Sequence, residues 1–470
     1  MGCKSFFEKG KTIVNKIRNI FHPSELSKIA YKTGFIQRST SRLQAEDFVN
    51  LMSVASIDPK IVPLEGLCST LRELNEQADI TPQSLMERVN NPAAAEFLKQ
   101  VFQQALERKV CKLLENVPPD LLNFFGNIWV EDCSECALNE SLQEAFKGSG
   151  GGASKASVKL DLIYEIKQKN IHSVDLVDRR SPDQKLAKKH LKIIQKGDLM
   201  IRDLGFFDVD VLRSIDGASA FFLSRLPASV NVYLNQEDEQ PIDLGTHLKT
   251  NFPDNSIIDI NIFVSKSKLP CRLIAYRAPQ ELADSRRRKA HKTARKKGGM
   301  PTKENLARLD FTFFITNVPA DIWKAEVIGT IYKIRWEIEL IFKNWKSSLC
   351  IHYLKGIDEH RIRCLLYGRL LAIVAINMIY QLTAWYAEKI GREISLHKVV
   401  NWLKKDNHLK KIIMGGAWAK FLQQLEREIS KTLCKDKKRK RKTTASRLKT
   451  AEPYTNLYLQ IVEIQKLKAA

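Results

Sequence analysis

The chain lacks most features that would place it outside the cell or in a membrane. Its nine cysteines are an odd number scattered along 470 residues, unlike the dense framework of a secreted disulfide-bonded domain, so a reducing cytoplasm is expected. Cys133 and Cys136 form one C-x-x-C pair, but no second Cys/His pair follows at ligand spacing, and a zinc site is not expected. The first 21 residues carry charges throughout and no uninterrupted apolar core, which argues against a secretory signal. Phe6 stands where a myristoylation motif after Gly2 needs Ser or Thr. One stretch, residues 364–386, has a membrane-like length, yet Arg369, Asn377 and Gln381 interrupt it. A charge held at mid-bilayer is costly, so a buried core helix is the better reading and no membrane partner is expected.

Acid is also in short supply. There are 76 Lys and Arg against 53 Asp and Glu, a formal net charge of +23. Such an excess repels itself in a compact state and is best tolerated beside a polyanion, which makes nucleic acid the expected partner. The excess is uneven: residues 401–450 hold 16 basic and four acidic side chains, and Arg286 to Lys297 hold eight basic and no acidic ones. A solvated helix face or a disordered tail would account for either run alone; their coincidence favours phosphate binding by the helix at 286–297 and the run at 435–442. Affinity for DNA should then fall steeply with salt.

At 44% apolar residues the composition is that of a globular chain long enough for two to four domains. Residues 24–115 read as short helices, with Gly34 closing one and Thr81-Pro82 opening another. From 127 the pattern changes to strands: NIWVEDC, ASVKLDLIYEI and IHSVDLVD, then a helical run at 183–195 and the buried strands DLMIRD and SAFFLSR. Irregular β-like text (VNVYL, IIDINIFV, CRLIAYR) and the basic helix at 279–297 precede the return strand LDFTFFIT, so residues 228–305 read as an insertion. The expected class is α/β with a mixed sheet. The expected organisation is a helical DNA-binding region at 1–120, a catalytic core from 121–227 and 306–390, a β-rich insertion with its basic helix at 228–305, and a basic helical region at 391–470.

Chemistry concentrates at 332–346. On one α-helix, Tyr332, Arg335, Glu339 and Lys346 would fall within about 60° of one another, while Glu337 would lie about 160° from Glu339. Ile331, Ile334, Ile338, Ile341, Phe342 and Trp345 form the neighbouring stripe that packs inward. A solvent-exposed, salt-bridged helix would give the same spacing. The segment YKIRWEIELIFKNWK nevertheless resembles the Y-x2-R-x3-E-x6-K signature of the insertion-sequence-four family of bacterial transposases, including Trp336 after the arginine and Trp345 before the lysine.

That resemblance implies a ribonuclease-H-like fold and a metal-binding Asp-Asp-Glu set of which Glu339 is the third member. VEDCSECALNESLQEAFKGSGGG is similar to the family's surroundings for the first aspartate, pointing to Asp132, and LMIRDLGFF to those for the second, pointing to Asp203. Ligands bind beyond the carboxyl ends of strands in open α/β sheets, which suits both positions. Asp198 starts the strand that Asp203 ends, Asp208 and Asp210 are expected to start the next helix, and Asp161 is expected to be structural. The resemblance implies two Mg²⁺ ions, replaceable by Mn²⁺, and places Tyr332, Arg335 and Lys346 on the DNA backbone. Arg225 matches a family arginine more loosely, and Arg286, Arg287, Arg288 and Lys289 on the basic helix are expected to bind DNA.

Two departures stand out: Phe206 replaces the tyrosine common after Asp-x-Gly, and residues 228–305 hold no Trp on which a flipped base could stack, only Tyr233, Phe252, Phe263 and Tyr276. The expected activity is cut-and-paste transposition on double-stranded DNA, at terminal inverted repeats and a target, by a homodimer in the bacterial cytoplasm, nucleoid-associated when DNA-bound. The alternatives are a DNA-binding protein derived from a transposase without activity, and a nuclease on the same fold.

Overall fold

The computed structural model describes residues 2–38, 41–58, 63–75, 77–108, 120–149, 154–405, 408–413 and 416–436. Most of the 435–442 run lies outside the described residues. Helices lead the chain: α1 (Gly2–Ile20), α2 (Pro23–Lys32), α3 (Ala45–Ser53), α4 (Leu64–Leu74), α5 (Pro82–Val89), α6 (Pro92–Arg108) and the short α7 (Asp120–Asn123). Then come β1 (Ile128–Ala137), β2 (Ser157–Glu165), β3 (Asn170–Asp178), α8 (Asp183–Lys189), β4 (Leu199–Arg202), α9 (Val209–Gly217) and β5 (Phe221–Arg225). The middle holds β6 (Val232–Tyr233), α10 (Leu244–Asn251), β7 (Ile257–Val264), β8 (Leu269–Arg277), α11 (Gln280–Lys296), α12 (Lys303–Arg308) and β9 (Phe311–Thr316). The last described helices are α13 (Ala325–Tyr332), α14 (Trp336–Ser347), α15 (Glu359–Lys389), α16 (Leu396–Lys404), α17 (His408–Ile413) and α18 (Trp418–Glu428).

The elements fall into two units. The first lies within Met1–Asn116, Cys133–Ser181 and Ile338–Arg439. Its centre is α15, the apolar stretch noted above: 89% of its most hydrophobic window is buried in protein. Asp358 caps it by accepting from the backbone N–H groups of His360 and Arg361. Arg369 is tolerated inside because its guanidinium donates to the carbonyls of Ser56, Cys350 and Tyr353 at 2.7–2.9 Å. Helix α3 crosses so close that a Cβ at Gly368 would sit 2.1 Å from the Met52 carbonyl oxygen, which demands glycine there. Helix α1 explains the apolar residues of the N-terminus: Phe6, Ile13, Val14, Ile17 and Ile20 are buried at helical spacing, and the Phe6 ring meets Tyr386 of α15 at 4.7 Å. The expected helical region at 1–120 covers this helix, although the helices were read individually only from residue 24. Thr81 does open α5, its hydroxyl accepting from Ser84 N–H at 3.2 Å, and Gly34 follows α2 at φ +74°. In the same unit β2 pairs antiparallel with β3, and the later half of β1 lies beside β2.

The second unit, within Val117–Asp132 and Pro182–Glu337, is a mixed sheet. The first half of β1 runs parallel to β4, and β4 parallel to β5. Beyond them β9, β8, β7 and β6 add in antiparallel succession. Residues 228–305, read as an insertion, therefore continue this sheet through β8 rather than building one of their own. The first three residues of each parallel-paired segment, Ile128–Val130, Leu199–Ile201 and Phe221–Leu223, are apolar, as suits strands covered on both faces.

Candidate active site

The first parallel pair ends in charge. β1 and β4 are in register from Ile128↔Leu199 to Glu131↔Arg202, so the next residues, Asp132 within β1 and Asp203 just past the end of β4, follow where the parallel pairing stops. Asp203 keeps an extended backbone, φ −83° and ψ 170°, before the 3-10 turn Leu204–Phe206. Alternation along a strand then puts both aspartates on one face and Glu131 and Arg202 on the other. Asp132 is 22% exposed and Asp203 is half-buried, so both carboxylates reach solvent.

The expected single helix over 332–346 is broken. α13 ends at Tyr332, a 3-10 turn spans Lys333–Arg335, and α14 begins at Trp336. The 100° step used to align the four signature residues therefore does not carry across the motif. In a 3-10 turn, side chains three apart eclipse, which stacks the Arg335 guanidinium over the Tyr332 ring, 5.9 Å from its centroid. The two side chains then serve different strand ends. The Tyr332 hydroxyl lies 3.2 Å from Asp203 Oδ1 and 3.3 Å from the Arg202 carbonyl oxygen, while Arg335 Nη1 donates to Asp132 Oδ2 at 3.3 Å. Burial, and next the Asp203 charge, raise the Tyr332 pKa above the ordinary phenol value, against the pull of Arg335 and Arg225. The hydroxyl thus stays protonated as a donor at neutral pH.

Glu339 and Lys346 lie further along α14, in the part belonging to the first unit. Seven residues apart on regular helix, they share a face, and both are half-buried. Glu337 is turned well away from Glu339 on the same helix.

Arg225 ends β5 and is close enough to Tyr332 and to Arg286 to influence both electrostatically. Arg286 is taken up by the fold: it donates to the carbonyls of Leu309 and Phe311 and to Thr312 Oγ1 at 2.8–3.1 Å. Arg287 pairs with Asp284 and Asp310. Arg288 and Lys289, by contrast, are exposed, as are Lys292, Arg295, Lys296 and Lys297 further along and just beyond α11. A groove of about 800 Å³ runs beside Arg288, Lys292, Arg295 and Lys296.

The rival acids have other tasks. Asp198 is buried and accepts from Asn127 N and Nδ2, Trp129 Nε1 and Gln195 N at 2.8–3.0 Å. Asp208 caps α9, Asp210 follows in its first turn, and Asp161 is interior to β2 at 1% exposure.

Sequence reasoning passed over Glu131, Arg202 and His190. Glu131 is wholly buried; its Oε2 accepts from Arg202 Nε at 2.6 Å and its Oε1 lies 2.9 Å from His190 Nδ1. The signal was present in IWVED and LMIRD: opposite charges one residue before each aspartate, in strands otherwise apolar, must be paired when buried.

A mixed α/β sheet with two acids where a parallel strand pair parts is a frame that suits metal-dependent phosphodiester chemistry. Residues 132–375, over half the chain, match the family model described as the transposase DDE domain, and the chain belongs to that family. Among its relatives is the transposase for insertion sequence element IS231B of Bacillus thuringiensis subsp. berliner, 27% identical over 81% of this chain and 82% of that protein. Another is the transposase for insertion sequence element IS1151 of Clostridium perfringens, 28% identical over 79% of this chain and 81% of that one. A cryo-EM structure of a piggyBac transposase synaptic complex with hairpin DNA aligns with a TM-score of 0.44 at 11% identity, over 93% of this chain and 87% of that one. The chain is thus a DDE transposase built on a mixed sheet; the family acts on DNA and implies a divalent metal ion.

Proposed function

We propose that the protein catalyses cut-and-paste transposition of an insertion sequence, with Asp132, Asp203 and Glu339 as its metal-binding catalytic acids. The observation that carries this is that Asp132 and Asp203 both directly follow the last registered pair of β1 and β4, Glu131↔Arg202. Solvent-reaching carboxylates are the hard oxygen donors that Mg²⁺, or Mn²⁺ in its place, prefers. Two such ions, when bound, stabilise charge on the attacking and leaving oxygens of an in-line displacement.

The chain's own residues hold and orient. Arg335 and Tyr332 fix the two aspartates from one side and stand beside the path of the DNA backbone, and Lys346 offers a point charge for phosphate on the face of Glu339. Arg225, Arg288 and Lys289 extend the phosphate contact, while Arg286 and Arg287 add positive potential from within the fold. In cleavage, a water oxygen bonds to phosphorus and the 3′-oxygen leaves, taking a proton to become a 3′-hydroxyl. In joining, that hydroxyl attacks a target phosphodiester and displaces its 3′-oxygen, conserving the number of phosphodiester bonds. Recognition of terminal inverted repeats, a homodimeric synaptic complex and a place at the bacterial nucleoid complete the reading.

A strand-transfer assay with the element's own ends, a plasmid target and Mg²⁺ tests it. Joined product is expected. Cleavage without joining indicates a nuclease, and binding without either indicates a transposase-derived DNA-binding protein.

A further inference from the structure

The face of β1 and β4 opposite the two aspartates carries a buried polar network. Glu131, with no exposed surface, receives Arg202 Nε on one oxygen at 2.6 Å and faces His190 Nδ1 with the other at 2.9 Å. Arg202 Nη2 reaches back to the Ala187 carbonyl in α8 at 3.3 Å, and His190 caps that helix. One carboxylate thus ties β1 to β4 and both to α8.

Stability alone is a weak reason for this arrangement. Taking two charges out of water costs about as much as their attraction returns, and a well-packed apolar pair commonly serves as well. What an apolar pair lacks is direction. The rigid, planar guanidinium of Arg202 donates Nε to Glu131 and Nη2 to the Ala187 carbonyl, so its plane fixes both the register and the separation of the strands and their distance from α8. Here the pair occupies the last registered position, Glu131↔Arg202, one residue before the aspartates. Any slip between the strands would move Asp132 relative to Asp203. From the front, the Tyr332 hydroxyl touches both Asp203 and the Arg202 carbonyl, so residues 202 and 203 are held from both faces.

We propose that Glu131, Arg202 and His190 are positioning residues that hold Asp132 and Asp203 at the separation a divalent cation requires. The inference rests on reading these aspartates as metal ligands. Groups behind metal ligands typically alter metal affinity or activity by about 10–100-fold when changed.

The test uses the full chain and Mn²⁺ alone, with free Mn²⁺ counted by electron paramagnetic resonance. Arg202→Lys keeps the charge and loses the planar group that reaches Glu131 and the Ala187 carbonyl together; Glu131→Gln keeps the shape and loses the ion pair. Both should raise the Mn²⁺ dissociation constant by about 10–100-fold while leaving binding of the element's ends in EDTA unchanged. His190→Gln, able to keep a hydrogen bond to Glu131, should show a smaller rise. Asp203→Asn separates the two layers of the argument. If it weakens Mn²⁺ binding and the other variants do not, the positioning role is overturned and the ligand assignment stands. If Asp203→Asn itself leaves Mn²⁺ binding intact, the ligand assignment fails and the positioning role with it. Should Glu131→Gln not fold, Arg202→Lys decides: reduced thermal stability with unchanged Mn²⁺ affinity would make the network structural only.

Discussion

Arg335 offers a way to read the site without following the reaction. Its guanidinium, 9% exposed, lies 3.3 Å from Asp132, 22% exposed, and so supplies positive charge to a place where two carboxylates stand together. At about 4 Å and an effective dielectric near 20, such a pair is worth about 4 kcal/mol before desolvation. Partial exposure of Asp132 reduces the net figure to about 1–3 kcal/mol. Arg335→Gln in metal-free protein should therefore lower the thermal midpoint by roughly 2–10 °C, using the size scaling for domains of 150–250 residues. Saturating Mn²⁺ should restore about half of that or more, because a cation bound at the aspartates replaces the missing charge and stabilises the folded state by mass action. The assay is a pair of melts, parent and variant, each with EDTA and with millimolar Mn²⁺. Equal losses with and without metal would refute the reasoning, since they would mean that Arg335 supports the fold and not the charge balance of the aspartates.

Two further outcomes are expected. Asp198→Ala removes the acceptor of four buried or part-buried donors and should cost about 3–5 kcal/mol in a urea melt; a loss under about 1 kcal/mol would show the network to be dispensable. Burial pushes Tyr276 and Tyr367 up to about 12, and Tyr332 upward as well. The stability linked to these raised values is fully present below the unfolded tyrosine value of about 10 and is lost as pH rises toward the folded values. Absorbance at 295 nm should show these three of the 11 tyrosines ionising late, with or after unfolding. Uniform titration near pH 10 with the fold intact would contradict their burial.

Much of the sheet was legible because strand periodicity is local. The three strands after 127, the DLMIRD strand, the basic helix and the return strand all lie where alternation and apolar runs placed them. The places of Asp198 at the start of β4 and Asp208 before α9 followed from position within an element, whereas Asp132 and Asp203 were singled out by strand position and family resemblance together. What was not legible depends on contacts far apart in sequence. That strands within residues 228–305 extend the core sheet was not legible, because nothing local shows that Leu273 pairs with Ile315. The helix count failed at Lys333–Arg335 because the local sequence that forms a 3-10 turn also suits an α-helix, although the two wind differently. The turn is visible only once Tyr332 and Arg335 are seen to reach for Asp203 and Asp132, residues some 130 and 200 positions away. The N-terminal charges drew attention from the apolar stripe of α1, whose partner is a helix near residue 386. Glu131 and Arg202 were hidden by their neighbours, the aspartates.

The central claim is that Asp132, Asp203 and Glu339 form one catalytic set, and cleavage of the element's own ends in Mg²⁺ tests it most directly. Asp203→Asn and Glu339→Gln should each bind the ends as the parent does and release no 3′-hydroxyl from them. Cleavage by either variant at the parent's rate would contradict the assignment of that acid.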